Sequence, residues 1–250
     1  MNPAEKADEK AAALRALHVP GDPLVLPNVW DAESARVVAG LFPAVATASA
    51  AVAPSLGYRD GEEMPADEAF AAVARVARAV DVPVTADVER GYRLPPAEIA
   101  ARLADAGAVG CNLEDSDPAT GTMVEQGEQV EFLGAVRAAD PRLVINARVD
   151  VFVHGSRSFD EAVDRARAYL AAGADCVYPI FLDGDAVAEF CRAVEGPVNC
   201  GVGPGDPTPG ELGRRGVARV SFGPGPHKLV MAHLATLATG IRDGGSPFTR

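Results

Sequence analysis

Residues 82–115 read VPVTADVERGYRLPPAEIAARLADAGAVGCNLED, and this stretch decides the fold. It opens on Val82–Glu89, an apolar run whose side chains alternate between two faces. Pro95-Pro96 then starts a helical pattern, as proline can in a first turn. The pattern runs from Pro95 to Ala106 and stops at Gly107, where a left-handed cap favours glycine. A second apolar run, Val109–Asp115, follows at once. Strand, helix and strand in so few residues read as one βα unit of a parallel sheet. The helix–Gly–strand join at 105–111, DAGAVGC, returns at 171–177 as AAGADCV.

Outward from this unit, the same alternation covers the chain. Strand-like runs occur at Leu24–Asn28, Ala44–Ser49, Val82–Glu89, Val109–Asp115, Leu143–Asp150, Cys176–Phe181, Pro197–Val202 and Arg219–Gly223. Helical patterns follow at Pro65–Val80, Pro95–Ala106, Glu125–Ala139, Phe159–Ala172, Ala186–Val194, Pro209–Arg215 and His227–Arg242, and Ala4–Leu17 adds a helix before the first strand. Eight βα units without a linker fit one α/β domain over residues 1–250, a (β/α)8 TIM barrel with an extra N-terminal helix. An open doubly wound sheet fits less well, because no GxGxxG follows the first strand.

The formal net charge of −12 and the lack of a basic stripe exclude nucleic acid as a partner. No apolar run reaches the roughly 20 residues of a membrane span. The N-terminus lacks the apolar core of a signal peptide, so the cytoplasm is expected. Cys111, Cys176, Cys191 and Cys200 form no CxxC pair and read as small buried thiols of a reducing compartment.

Barrel enzymes carry their chemistry at the C-terminal strand ends. In the third run Thr85, Asp87 and Glu89 share a face; in the fourth, Asn112 and Glu114; in the fifth, Asn146, Arg148 and Asp150. Asp87, Glu89 and Glu114 would repel one another at one mouth unless a cation neutralises them. A hard divalent ion with oxygen ligands does so, so Mg²⁺ is expected there, with Mn²⁺ as the alternative. Arg148 beside it suits a substrate carboxylate, and the pair suits a small 2-oxo or 2-hydroxy acid. The backbone N–H groups at Ala48 and Ser49 are candidate receivers of a substrate oxygen. Asp60 is the candidate acid/base, although its local grammar is that of an Asp-Gly turn. Trp30 and Asn199 are candidate pocket residues for which packing is an equal reading. His18, His227 and His233 read as packing or surface residues.

The segments PNVWDAESAR, SLGYRDGE, TADVERGY, CNLEDS, INARVDVF and AGADCVYP, in this order, resemble the isocitrate lyase/phosphoenolpyruvate mutase superfamily. The resemblance covers nearly the whole chain. It implies a (β/α)8 barrel that is often a homo-oligomer exchanging a helix between neighbours. It implies Mg²⁺ held directly by Asp87 and through waters by Glu89 and Glu114, with Arg148 on the substrate carboxylate and Asp60 facing the reacting acid. The Lys-x-Cys-Gly-His lid of isocitrate and methylisocitrate lyases is absent after Glu114, which argues against those two activities. Ala48 stands where many relatives carry Ser, and Arg93 where a glycine is common.

The leading expectation is therefore Mg²⁺-dependent C–C cleavage, by retro-aldol or decarboxylation, through an enolpyruvate-like intermediate. The alternatives are P–C bond chemistry on a phosphonate, with Arg90, Arg93 and His154 as the nearby cations, and a non-catalytic metabolite-binding barrel. A phosphate site at GVGPGDPTP or FGPGPHK is weakened by Pro204, Pro207, Pro224 and Pro226, which remove donors. The sequence leaves open whether residues 115–128 close over the mouth.

Overall fold

Pro27 splits the first strand, and the two halves show how the sheet closes. The computed structural model describes residues 2–155 and 158–248. In it, β1a (Leu24–Leu26) pairs in parallel with β8 (Arg219–Ser221), and β1b (Asn28–Val29) pairs with β2 (Val45–Thr47). Proline has no N–H to give a ladder, so the strand changes partner there. The ring continues through β3 (Val84–Asp87), β4 (Gly110–Leu113), β5 (Val144–Val149) and β6 (Cys176–Pro179). A bridge from Val177 to Val198 joins β6 to β7 (Asn199–Gly201), and β7 pairs with β8. The chain thus folds as an α/β barrel of eight parallel strands, as the alternation predicts.

The helices Ala66–Ala79, Pro96–Ala106, Gln126–Ala139, Phe159–Ala171, Val187–Val194 and Pro209–Arg214 match the sequence reading to within one or two residues. Their apolar stripes bury Phe70, Val73, Ile99, Leu103, Leu133, Val136, Tyr169 and Phe190 against the barrel's outer wall. Gly107 is left-handed at φ 82°, closing its helix as expected. One element differs: the Ala-rich segment after β2, read as a loop, forms the helix Ser49–Ser55. Alanine's helix propensity prevails there; the short helix carries Pro54 in its last turn and stops before the left-handed Gly57.

The helix Pro3–Ala16 closes the barrel floor. Ala11 and Leu14 pack on Leu24, Leu26, Ala44, Ala46, Val109 and Val144. Gly110 makes room for this plug, since a Cβ there would lie 2.8 Å from Leu14 Cδ2. Arg15 fastens the helix to Asp175 at 2.6 Å. The C-terminal helix Gly225–Arg242 behaves oppositely. None of its residues is buried in the chain, and Leu229 and Leu234 stand 73% and 55% exposed.

The lumen is more polar than the Val/Ile/Leu layers usual in such barrels. Asn28, Thr85, Asn146, Asn199, Arg219 and Ser221 are all buried. The four cysteines are free thiols, and burial pushes those of Cys111, Cys176 and Cys200 up to about 12.

Candidate active site at the barrel mouth

Asp87, the last residue of β3, is held by β2 and the helix that follows it. Thr47 Oγ1 accepts the Asp87 N–H at 2.8 Å. Ser49 donates to Asp87 Oδ2 twice, from its backbone N–H at 2.8 Å and its hydroxyl at 2.9 Å. This fixes one carboxylate oxygen and, among the described residues, leaves Oδ1 without a hydrogen bond. It also changes the expected role of the second loop. The Ser49 amide is committed to Asp87 and the Ala48 amide to Val29 O, so neither is free for a substrate oxygen in this conformation.

Glu89 reaches the site by a different route from the one strand alternation implies. The strand stops at Asp87, and Glu89 sits in a left-handed turn at φ 52°. Its Oε2 accepts the N–H groups of Gly61 and Glu62 at 2.8 and 2.7 Å, and its Oε1 accepts the Tyr92 hydroxyl at 2.9 Å. Glu62 in turn accepts the amides of Arg90 and Tyr92. The loop carrying Asp60 is thereby stitched to the loop after β3. Glu62, Glu89, Tyr92 and Arg93 all have φ near +55°, a backbone region costly for non-glycine residues.

Glu114, just past β4, bridges to Arg148 of β5. Arg148 also grips Asp150, through Nε at 2.5 Å and Nη2 at 2.9 Å. The guanidinium expected to wait for substrate is therefore paired with two carboxylates. Ser116 closes the set by bonding Asp150 and His154, from a short antiparallel ribbon that pairs Ser116–Asp117 with Thr122–Met123. This ribbon occupies part of the 115–128 segment.

The electrostatics are those of a site with too much negative charge. Burial, Asp60 and Asp87 together push Glu89 up to about 7, against the pull of Tyr92. Burial and the adjacent Asp87 raise Asp60 above the ordinary carboxylate range, although Ser49 and Arg148 draw it down. Burial holds Glu114 well above that range; Arg148 opposes this, and Asp87, Asp150 and Glu89 add to it. Burial works against the Arg148 charge, yet Glu114 and Asp150 outweigh it and tighten its proton.

Among the described residues, no three His, Cys, Asp or Glu side chains converge as they stand to ligate one ion. The donor set nevertheless suits Mg²⁺. Every member is a hard carboxylate oxygen, and Mg²⁺ needs only one or two direct carboxylates because it keeps waters.

The structure brings Asp60, Asp87, Glu89, Glu114 and Arg148 together. It does not bring Trp30 or Asn199 into this network. Trp30 packs edge-on against His227 at 5.0 Å, and Asn199 lies fully buried on the inner wall, donating to Ser221 at 3.3 Å. Arg90 is tied to Gln129 and Glu128, and His154 to Ser116. The residues missed are Ser49's side chain, Glu62, Tyr92, Ser116 and Asp150. Only Asp150 carried a signal, since it shares a strand face with Arg148.

Comparison with known proteins gives consistent matches. The phosphoenolpyruvate phosphomutase family model matches residues 14–242. A crystal structure of a Burkholderia cenocepacia protein, provisionally described as a phosphonomutase, is 42% identical and superposes with a TM-score of 0.87, covering 92% of this chain and 99% of that one. An uncharacterized protein of Mycobacterium tuberculosis is 35% identical, over 91% of this chain and 88% of its own. The oxaloacetate decarboxylase of Rhodopseudomonas palustris is 31% identical, over 96% and 87%.

Proposed function

The chain belongs to the phosphoenolpyruvate phosphomutase family, within the isocitrate lyase/phosphoenolpyruvate mutase superfamily, and from that premise we propose that it is a Mg²⁺-dependent lyase that cleaves a C–C bond of a small 2-oxo or 2-hydroxy acid. The observation that carries this reading is the surplus of carboxylates around Asp87 beside one guanidinium, Arg148. Repelling acids are costly to hold together, and a divalent cation relieves them.

Asp87 would hold the ion directly through Oδ1, with Glu89 and Glu114 reaching it through water. Bound Mg²⁺ supplies positive charge that stabilises the developing enolate oxygen. Arg148 Nη1, once released by Glu114, would take the substrate carboxylate while Asp150 keeps the guanidinium oriented. In decarboxylation of a 2-oxo acid, the breaking C–C bond releases CO2 and leaves its electron pair as the enolate of the oxo-acid; in retro-aldol cleavage, the 2-hydroxy group loses its proton and becomes the carbonyl of the oxo-acid product, and the electron pair stays on the other fragment as its enolate. Asp60, whose proton affinity is raised by burial and Asp87, returns a proton to the enolate carbon or removes one from a 2-hydroxy group.

Residues 1–250 act as one domain in this reading. Exposed Leu229, Met231, Leu234 and Ile241 support a homo-oligomer in which the C-terminal helix docks on a neighbouring copy. No helix among the described residues is long and apolar enough to cross a membrane, and a cytoplasmic location is part of the proposal.

The test is pyruvate release from a panel of 2-oxo and 2-hydroxy diacids and phosphonopyruvate, with Mg²⁺ and with EDTA. Metal-dependent release from a carboxylate substrate is expected. Release from phosphonopyruvate alone would replace the lyase reading with P–C chemistry, to which the family name and Arg93, exposed and without an ion pair among the described residues, lend support. Silence across the panel, with metal bound, would favour a binding role.

A further inference from the structure

The barrel lumen holds one cation that the proposed chemistry does not use. Arg219, on β8, is 1% exposed, the largest fully buried side chain among the described residues. Its partners differ from those of the other well-buried arginines. Arg148 bonds Glu114 and Asp150, and Arg165 bonds Asp115 and Glu161. Among the described residues, Arg219 makes a single bond, from Nη2 to the neutral Asn112 Oδ1 at 3.2 Å, and its Nε and Nη1 have no partner.

That one bond locates the charge. In a ring of eight strands, β8 and β4 lie on opposite sides, so Arg219 spans the lumen to reach Asn112. Asn112 is the register partner of Asp87 on one side and of Asn146 on the other. Paired residues on neighbouring strands point to the same face. The guanidinium therefore crosses the barrel axis and ends beside the residue next to Asp87. Burial weakens the Arg219 charge, and Asp87 is the one carboxylate among the groups that most strongly oppose that effect. A buried charge without a nearby counter-charge is costly, and the carboxylates of the mouth are the available compensation.

We propose that Arg219 is an electrostatic positioning residue: a buried positive floor that limits the negative charge the mouth presents, so that it accepts one divalent cation and still admits an anionic substrate. The inference rests on the Mg²⁺ reading above. Its consequence has a direction that packing alone does not give. Removing the charge strengthens attraction for Mg²⁺ and weakens attraction for an oxyanion, whereas simple damage weakens both.

The experiment is calorimetric titration of metal-stripped protein with MgCl2, then of Mg²⁺-saturated protein with oxalate, for wild type, R219Q, R219K and D87A. Gln keeps an amide donor for Asn112 but no charge; Lys keeps the charge. In R219Q we expect Mg²⁺ to bind roughly tenfold more tightly and oxalate roughly tenfold more weakly, the scale of one unit charge acting through a screened interior. R219K should stay close to wild type in both. A folded R219Q with both affinities unchanged, or both weakened together, overturns the inference while leaving the metal site intact. Should R219Q not fold, an R219K that departs from wild type in opposite directions for the two ligands overturns it, and one that matches wild type supports it. No Mg²⁺ binding by wild type removes the metal reading itself, and the inference with it.

Discussion

Glu114 and Asp115 are neighbours in the chain, and they serve opposite regions. Glu114 turns into the mouth, where five carboxylates (Asp60, Asp87, Glu89, Glu114 and Asp150) gather around Arg148. Asp115 turns into the wall, where its oxygens accept the Asp150 N–H at 2.8 Å, the Tyr169 hydroxyl at 2.6 Å and Arg165 at 3.3 Å. Both face an arginine, Glu114 from a partly buried position and Asp115 from a fully buried one. The wall cluster is satisfied: each oxygen of Asp115 has a donor, and Arg165 also bonds Val124 O. Burial and Asp150 raise the proton affinity of Asp115 as well, but the mouth gathers several acids that raise one another, on strained loops. The difference teaches that an ion pair by itself says little; the balance of charge around it separates a structural tie from a site built for a ligand.

The largest expected effect separates the two regions outright. Asp87→Ala should reduce Mg²⁺-dependent turnover about 10³-fold or more, the several kcal/mol a metal supplies, with no loss of melting temperature. Steady-state assays beside thermal melts decide this, and full turnover in the variant would end the metal reading. Next, Arg165→Met should cost about 3–5 kcal/mol by leaving Asp115 buried and unpaired, lowering Tm by about 10 °C. The folded fraction should keep its kcat/KM; a catalytic defect with an unchanged Tm would erase the distinction between wall and mouth.

A pH series sharpens the comparison. Glu89 binds its proton more tightly in the fold, at about 7 against 4.5. Its contribution is therefore full below pH 4.5 and is lost as pH rises through 7. In EDTA, that loss should reach about 2–3 kcal/mol in denaturant unfolding. Glu89→Gln should flatten it, and Mg²⁺ should abolish it in wild type. An identical pH slope in wild type and Glu89→Gln would count against the charge surplus. The smallest effect belongs to Tyr92→Phe. Loss of its hydrogen bond to Glu89 should cost about 1 kcal/mol and move the same stability window to higher pH.

These contrasts also mark what the sequence discloses. Alternation along 82–115 discloses the barrel, because strand and helix periods are local. Asp87, Glu114 and Arg148 are legible for the same reason, since each sits at or beside the C-terminal end of a strand. Glu89 is found by a pattern that does not apply to it, because a left-handed turn and not the pleat delivers it. The occupation of the Ser49 amide by Asp87 is hidden, because it joins residues 38 positions apart. Alternation sets Asp115 on the face opposite Glu114, but its partners Tyr169 and Arg165 lie 54 and 50 positions away and are hidden in the sequence.

The helix Pro3–Ala16 stoppers the barrel, with Leu14 driven into its floor. The vessel is therefore one-ended. A molecule that reacts at the mouth departs through the opening by which it came, so every departing product contests the doorway with the next arrival. With the proposed site at that doorway, the product is expected to compete with substrate, which product-inhibition kinetics would show.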